Sequence, residues 1–210
     1  MADYEALKLK VQELAERDWD MPAIEARYRK LAAEGITRKV LDKDEIWANR
    51  QQILDRVQRW AEENNFLAHN CARSTALAIM EEFGLGSMEI IKVLSPFPGF
   101  GLTGWMCGGV TGGLIGLGLY FGSEDIQDYD AVGVTMISAR KFMSRFEEQT
   151  GDHVCSKLQE KVIFGRYMDP LASPENKKAF IEAKGIEKCS ILPGIGARLA
   201  AEIIIESMKP

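Results

Sequence analysis

Apolar positions recur at helical spacing along most of the chain, and the alternation that marks a β-strand is almost absent. Tyr4, Leu7, Val11 and Leu14 fall at i, i+3, i+7 and i+10, the spacing of one apolar stripe on a helix. A second helix is predicted from Pro22, where a missing N–H costs nothing, to a stop at Gly35. From Asp42 onward, Ile46, Ile53, Val57 and Trp60 keep one face through consecutive turns. After Asn64 and Asn65 the composition changes, which sets a boundary near that point. The expected organisation is an N-terminal helical extension over 1–61 and a main domain over 62–210.

Within the second part, Asn70 is suited to cap a helix from Cys71 to Phe83, with Gly84 and Gly86 ending it and Ser87 capping a short one after it. A Pro/Gly loop, Ser95 to Trp105, precedes a glycine-rich helix from about Cys107. An acidic loop, Glu124 to Asp130, leads to a helix in which Phe142 and Phe146 share a face. Asp152 is read as opening a helix that carries Cys155, and Ser173-Pro174 and Gly185 bracket another. The last helix is expected from Gly194 to about Met208, with Ile195, Leu199 and Ile203 on one side. The fold class this implies is all-α, a helical bundle around a central, buried, glycine-rich helix. In that helix Gly108, Gly112 and Gly116 lie four apart, as do Gly109 and Gly113, giving two faces on which neighbouring backbones can approach closely.

Composition narrows the function more than the fold. Apolar residues make up 46% and charged residues 27% of the 210, a globular balance. The net charge of -5 gives no general attraction for nucleic acid or anionic membrane. No charge occurs between Val93 and Ser123, but Pro96, Pro98 and the glycines leave an apolar run shorter than the ~20 residues of a membrane span. The N-terminus has acids where a secretory signal has positive charge, so a cytoplasmic location is expected. In that compartment the four cysteines are read as thiols, metal ligands or redox groups rather than structural disulfides.

Three signals bear on chemistry. Gly99-Phe100-Gly101-Leu102-Thr103-Gly104 matches the dinucleotide fingerprint, but Pro96 and Pro98 interrupt any strand before it and no other strands of a parallel sheet are present. Ile191-Leu192-Pro193-Gly194-Ile195-Gly196 looks like the helix-hairpin-helix of DNA-binding proteins, whose glycine turn offers N–H groups to a phosphate. The six Lys or Arg and five acids from Pro174 onward leave it little basic surround, and no nucleic-acid partner is expected. The third is the set Cys71, Cys107, Cys155 and Cys189, separated by 36, 48 and 34 positions, with no C-x-x-C pair. Buried cysteines acting as small apolar residues would explain such spacing equally well. Three of the four, Cys71, Cys107 and Cys155, nevertheless sit at predicted helix starts, where a thiolate is stabilised.

Asn70-Cys71-Ala72, then Cys107-Gly108-Gly109-Val110-Thr111-Gly112 running into an apolar glycine helix, then Cys155 and Cys189, resemble the C_GCAxxG_C_C family of redox-active proteins of anaerobic and related microbes. The similarity covers roughly Glu62 to Met208, with Gly109 in place of the family's usual Ala. The resemblance implies that all four cysteines converge on one redox site. The family is also similar to part of the split-Soret cytochromes, which implies an iron-sulfur cluster as their ligand; no C-x-x-C-H is present for covalent haem. On this reading Cys71, Cys107, Cys155 and Cys189 are metal ligands, and Gly101, Gly104 and Gly108 bring backbone N–H groups to the cluster sulfurs. The partner expected is an oxidoreductase or electron-transfer protein. A homodimer is a further expectation, with the apolar stripes of residues 1–61 as one route to association, against the alternative that they only cover the domain. Thiol-disulfide chemistry without metal, or a helical DNA-binding module using 192–196, are the alternatives. His69 and His153, each two residues before a cysteine, are read as surface or supporting groups rather than ligands.

Overall fold

A computed structural model describes residues 2–209. Among them every regular element is helical, apart from a single antiparallel bridge between Met106 and Val154. The elements are α1 (Tyr4–Glu16), α2 (Met21–Glu34), α3 (Lys43–Ala48), α4 (Arg50–Ala68), α5 (Cys71–Phe83), α6 (Met88–Val93), α7 (Gly99–Leu102), α8 (Gly108–Phe121), α9 (Tyr129–Thr150) and α10 (Cys155–Leu158). A π-helical turn (Gln159–Ile163) continues α10, and α11 (Pro174–Glu182), α12 (Gly185–Cys189) and α13 (Ile191–Glu206) complete the chain.

Local chemistry accounts for most of these boundaries. Asp3, Asp20, Asn70, Asp128 and Ser173 each accept a backbone N–H in the first turn of the helix that follows. Gly35 closes α2 and Gly84 closes α5, both at positive φ. The face from Asp42 onward is not one helix, however. Asn49 leaves helical geometry at φ -98°, ψ 12° and turns its side-chain amide back to Glu45 O, so α3 and α4 are separate pieces.

α4, α5, α8 and α13 pack around the centre, with α9 against α8 and α13. The glycines of α8 set the spacing. A Cβ on Gly112 would lie 2.5 Å from Ala72 O, and one on Gly109 2.5 Å from Leu192 O, so the backbones of α5 and α13 approach α8 on its two bare faces. The first half of α8 is buried from Gly108 to Gly113.

The N-terminal helices are built onto this core. Leu7, Val11 and Leu14 are buried in the main apolar cluster with Ile53 and Val57. Arg17 pairs with Glu62 at 2.7 Å, Arg56 with Glu82 at 2.6 Å, and Lys184 donates to Ala15 O at 2.8 Å. The apolar stripes of residues 1–61 are therefore occupied inside the chain. Asn64 and Asn65 are buried within α4, which runs unbroken past them. The last helix begins three residues before Gly194. Gly194 and Gly196 are buried inside α13, and the Gly194 N–H donates to Ser190 O. The glycine turn of a helix-hairpin-helix is absent, and so is the phosphate-binding N-terminus it would supply.

Candidate functional site

Four separate elements each deliver one cysteine. Cys71 is the first residue of α5, Cys107 is the N-cap of α8, Cys155 opens α10 and Cys189 ends α12. All four are free thiols; Cys107 is buried and the others are half-buried.

Cys107 and Cys155 are joined through the bridge. Cys107 N–H donates to His153 O at 2.9 Å and Cys155 N–H donates to Trp105 O at 2.5 Å, either side of Met106 and Val154. An antiparallel pair of this kind puts positions 105, 107, 153 and 155 on one face. Cys71 is brought in by the α5–α8 contact, where a Cβ on Gly108 would collide with Cys71 Sγ and lie 2.6 Å from Ala72 N. Cys189 is held through its neighbour: Asn65 Nδ2 donates to Ser190 Oγ at 3.0 Å and to Ile186 O at 3.2 Å, tying α12 to α4. The buried Asn65 is the physical reason for the polar residues at the sequence boundary noted above.

The thiols feel one another. Burial pushes Cys71 up to about 12, with Cys155 adding to it, while the N–H groups of Gly108, Cys71 and Ala72 oppose the rise. Burial likewise raises Cys107 well above its ordinary value, helped by Cys71 and Cys155 and opposed by the N–H groups of Gly109 and Val110. Cys189 is raised by burial, then by Cys155 and Cys71, and is opposed only by Lys188. Geometry brings Cys71, Cys107 and Cys155 to the start of α8 and the Met106–Val154 bridge, while Cys189 is carried by α12. At the helix starts, desolvation outweighs the helix N–H groups and favours thiols over the thiolates expected there. Among the described residues, no three His, Cys, Asp or Glu side chains stand close enough to hold a metal ion.

Cys155 has the most elaborate surroundings. Burial raises it and the Gln159 side chain lowers it, Gln159 Nε2 donating to Sγ at 3.7 Å while its Oε1 accepts the Met168 N–H at 2.9 Å. Gln159 is the first residue of the π-helical turn, a distortion common at functional sites. Tyr167 donates to Leu102 O at 2.7 Å, and burial, Asp169 and Cys155 push its phenol up to about 12. Sequence reasoning missed both residues. Only the i, i+4 spacing of Cys155 and Gln159 signals the first, and nothing local signals Tyr167.

The loop glycines divide. Gly108 lies against Cys71, whereas the Gly101 N–H is given to Pro96 O at 2.7 Å and is not free for a sulfur. Gly104, at φ +81°, rests against Tyr167 and Ser156 and accepts the Ser156 N–H through its carbonyl. It is Gly99, at φ +52°, whose Cβ position is 3.6 Å from Cys155 Sγ. No strand precedes this loop, so the dinucleotide pattern lacks its context. His69 is exposed; His153 is half-buried and its Nδ1 has no hydrogen-bond partner.

Residues 69–203 match a family model described as "Putative redox-active protein (C_GCAxxG_C_C)". The chain belongs to this family. No curated protein and no solved structure matches it. As a C_GCAxxG_C_C protein it carries all four named cysteines; the pattern's Ala directly follows its Cys, which places Gly108, and not Gly109 as expected above, at that position. The structure gives a reason for glycine there, since Cys71 and the Ala72 backbone N lie directly on the Gly108 position. Among the described residues, no helix is long and apolar enough to cross a membrane.

Proposed function

We propose that this C_GCAxxG_C_C protein is a cytoplasmic iron-sulfur protein that transfers or stores electrons for an oxidoreductase partner. The observation that supports the reading most is that four elements each carry a free thiol, with Cys71 and Cys107 beside the backbone N–H groups at the start of α8 and Cys155 bridged to the segment of Cys107.

The donor set fits an iron-sulfur cluster, which four cysteine thiolates characteristically hold. The buried, unpartnered His153 Nδ1 beside this face also agrees with a polar group docking there. Cys71, Cys107, Cys155 and Cys189 would hold the cluster, which when bound supplies electron transfer at a potential set by its surroundings. The protein groups around it have separate tasks. The N–H groups of Gly108, Gly109 and Val110 offset negative charge on Cys71 and Cys107, and Gln159 does the same for Cys155. Trp105, whose carbonyl fixes Cys155, is 64% exposed and offers an apolar contact to a partner next to the site.

A second reading, thiol-disulfide exchange without metal, is favoured by one observation: Cys107 and Cys155, both free thiols, each directly follow a residue of the Met106–Val154 bridge. Protein purified without oxygen separates the two. Visible absorption with iron and acid-labile sulfide supports the cluster. A colourless, metal-free protein after anaerobic reconstitution, with an oxidisable Cys107–Cys155 pair by thiol counting, supports the dithiol.

A further inference from the structure

With the N-terminal stripes buried, an uncovered apolar face is found elsewhere. In the first half of α9, Tyr129, Val132, Gly133, Met136 and Ile137 fall at i, i+3, i+4, i+7 and i+8, the spacing of a helix stripe made to be buried. Here the stripe points outward: Tyr129 is 78% exposed, Met136 58% and Ile137 70%. The inward face of the same helix is supplied by Ser138, Phe142 and Phe146. Ile126, in the loop before α9, is also exposed and extends the patch.

Two further observations identify what covers it. Gly133 lies inside the helix, where glycine costs about 1 kcal/mol relative to alanine, yet beyond the local backbone of its own helix nothing comes within 4 Å of its Cβ position. A bare spot at the middle of an apolar stripe permits close approach of a second helix. The charges at the two ends are opposite. Glu124, Asp125 and Asp130 flank the N-terminal end, and Arg140 stands at the other. Lys141 and Arg145 are already tied to Glu206, whereas Arg140 forms no salt bridge among the described residues. A two-fold axis through Gly133 puts Tyr129 of one copy opposite Ile137 of the other. It also sets Arg140 of each copy beside the acidic loop of the other. The patch is thus complementary to itself in the antiparallel sense that a closed, two-fold dimer demands. Its acidic flank argues against an anionic membrane surface as the occupant.

We infer that the outward face of α9, centred on Gly133, is a homodimer interface in which two α9 helices pack antiparallel. The inference is independent of what the cysteines bind. Sedimentation velocity of the full chain over a concentration series tests it. The wild type should sediment with twice the 23.5 kDa chain mass. Ile137→Glu should sediment as a monomer with unchanged helical circular dichroism. Arg140→Glu should weaken the dimer by roughly tenfold, and Glu124→Lys added to it should restore self-association. A wild type that stays monomeric at every concentration overturns the inference, including one that instead floats with phosphatidylcholine vesicles. So does a dimer that survives Ile137→Glu, and failure of the charge-swap rescue overturns the antiparallel register.

Discussion

Burial dominates the state of the sulfurs, and individual polar groups adjust it. Cys107 is tied to His153 O by its own N–H and faces the N–H groups of Gly109 and Val110. Cys107→Ser preserves volume but substitutes a far less acidic ligand. Iron per chain should fall to near zero while helical circular dichroism is kept, and Cys71→Ser and Cys155→Ser should behave alike. Cys189 sits at the end of a helix with no backbone N–H against its sulfur, so its Ser variant should lose less. Gln159→Leu removes a donor from Cys155. Because reduction adds negative charge that this donor stabilises, the midpoint potential should drop in an anaerobic potentiometric titration. Asp152 belongs to the same corner. Burial raises its carboxyl, but the Val154 N–H, Lys161 and the His153 N–H more than reverse this and hold it below its ordinary 3.8. A depressed acid contributes stability above its unfolded pKa and loses it as pH falls through the folded one. The wild type should therefore lose stability relative to Asp152→Asn as pH drops below about 4 in urea titrations. At this scale the cysteines were legible in the sequence through the family pattern. Gln159 and Tyr167 were not, because a π-turn and the chain after it create their contacts with Cys155 and Gly104.

At the scale of elements, α8 is where sequence and packing agree most closely. The repeated glycines predicted close approach, and different glycines serve different neighbours: Gly108 and Gly112 face α5, Gly109 faces α13 and Gly113 faces Phe142 of α9. This makes two apparently equal substitutions opposite in sign. On Gly109 a Cβ meets the Leu192 carbonyl at 2.5 Å, backbone that cannot turn aside. Gly109→Ala should destabilise by about 1–3 kcal/mol or more. On Gly118 nothing lies within 4 Å, so Gly118→Ala should stabilise by up to about 1 kcal/mol through helix propensity alone. Thermal unfolding of the pair measures both signs. The helix starts capped by Asn70 and Ser173 were readable; Ser87 makes no side-chain cap and Val154, not Asp152, precedes α10, and the break at Asn49 and the early start of α13 were not readable either. In α3–α4 the apolar face continues past a residue whose own amide competes for the backbone. In α13 Pro193 lies within the first turn, where proline is tolerated, so the glycine after it marks close packing and not a turn.

For the whole molecule, the extension and the family region share one core. α4 crosses the 61/62 boundary and packs on α5 and α13, and Val57 and Leu14 are wholly buried with residues of the cysteine-bearing part. We expect a chain beginning at Glu62, which cuts α4, to unfold at markedly lower denaturant than the full chain and with a smaller m-value. The composition change at Asn64–Asn65 reads as a boundary because polar residues there are unusual for a helix interior. Their role, tying α4 to α12 beneath Cys189, depends on a contact more than a hundred positions away that no local pattern carries.

The central claim is that four dispersed cysteines act as one cluster-binding site. Iron and acid-labile sulfide per chain, measured side by side in anaerobically reconstituted wild type and Cys107→Ser, test it most directly. The account predicts both elements and visible absorption in the wild type and neither in the variant. A wild type without iron, or a variant that retains as much iron as the wild type, would contradict it.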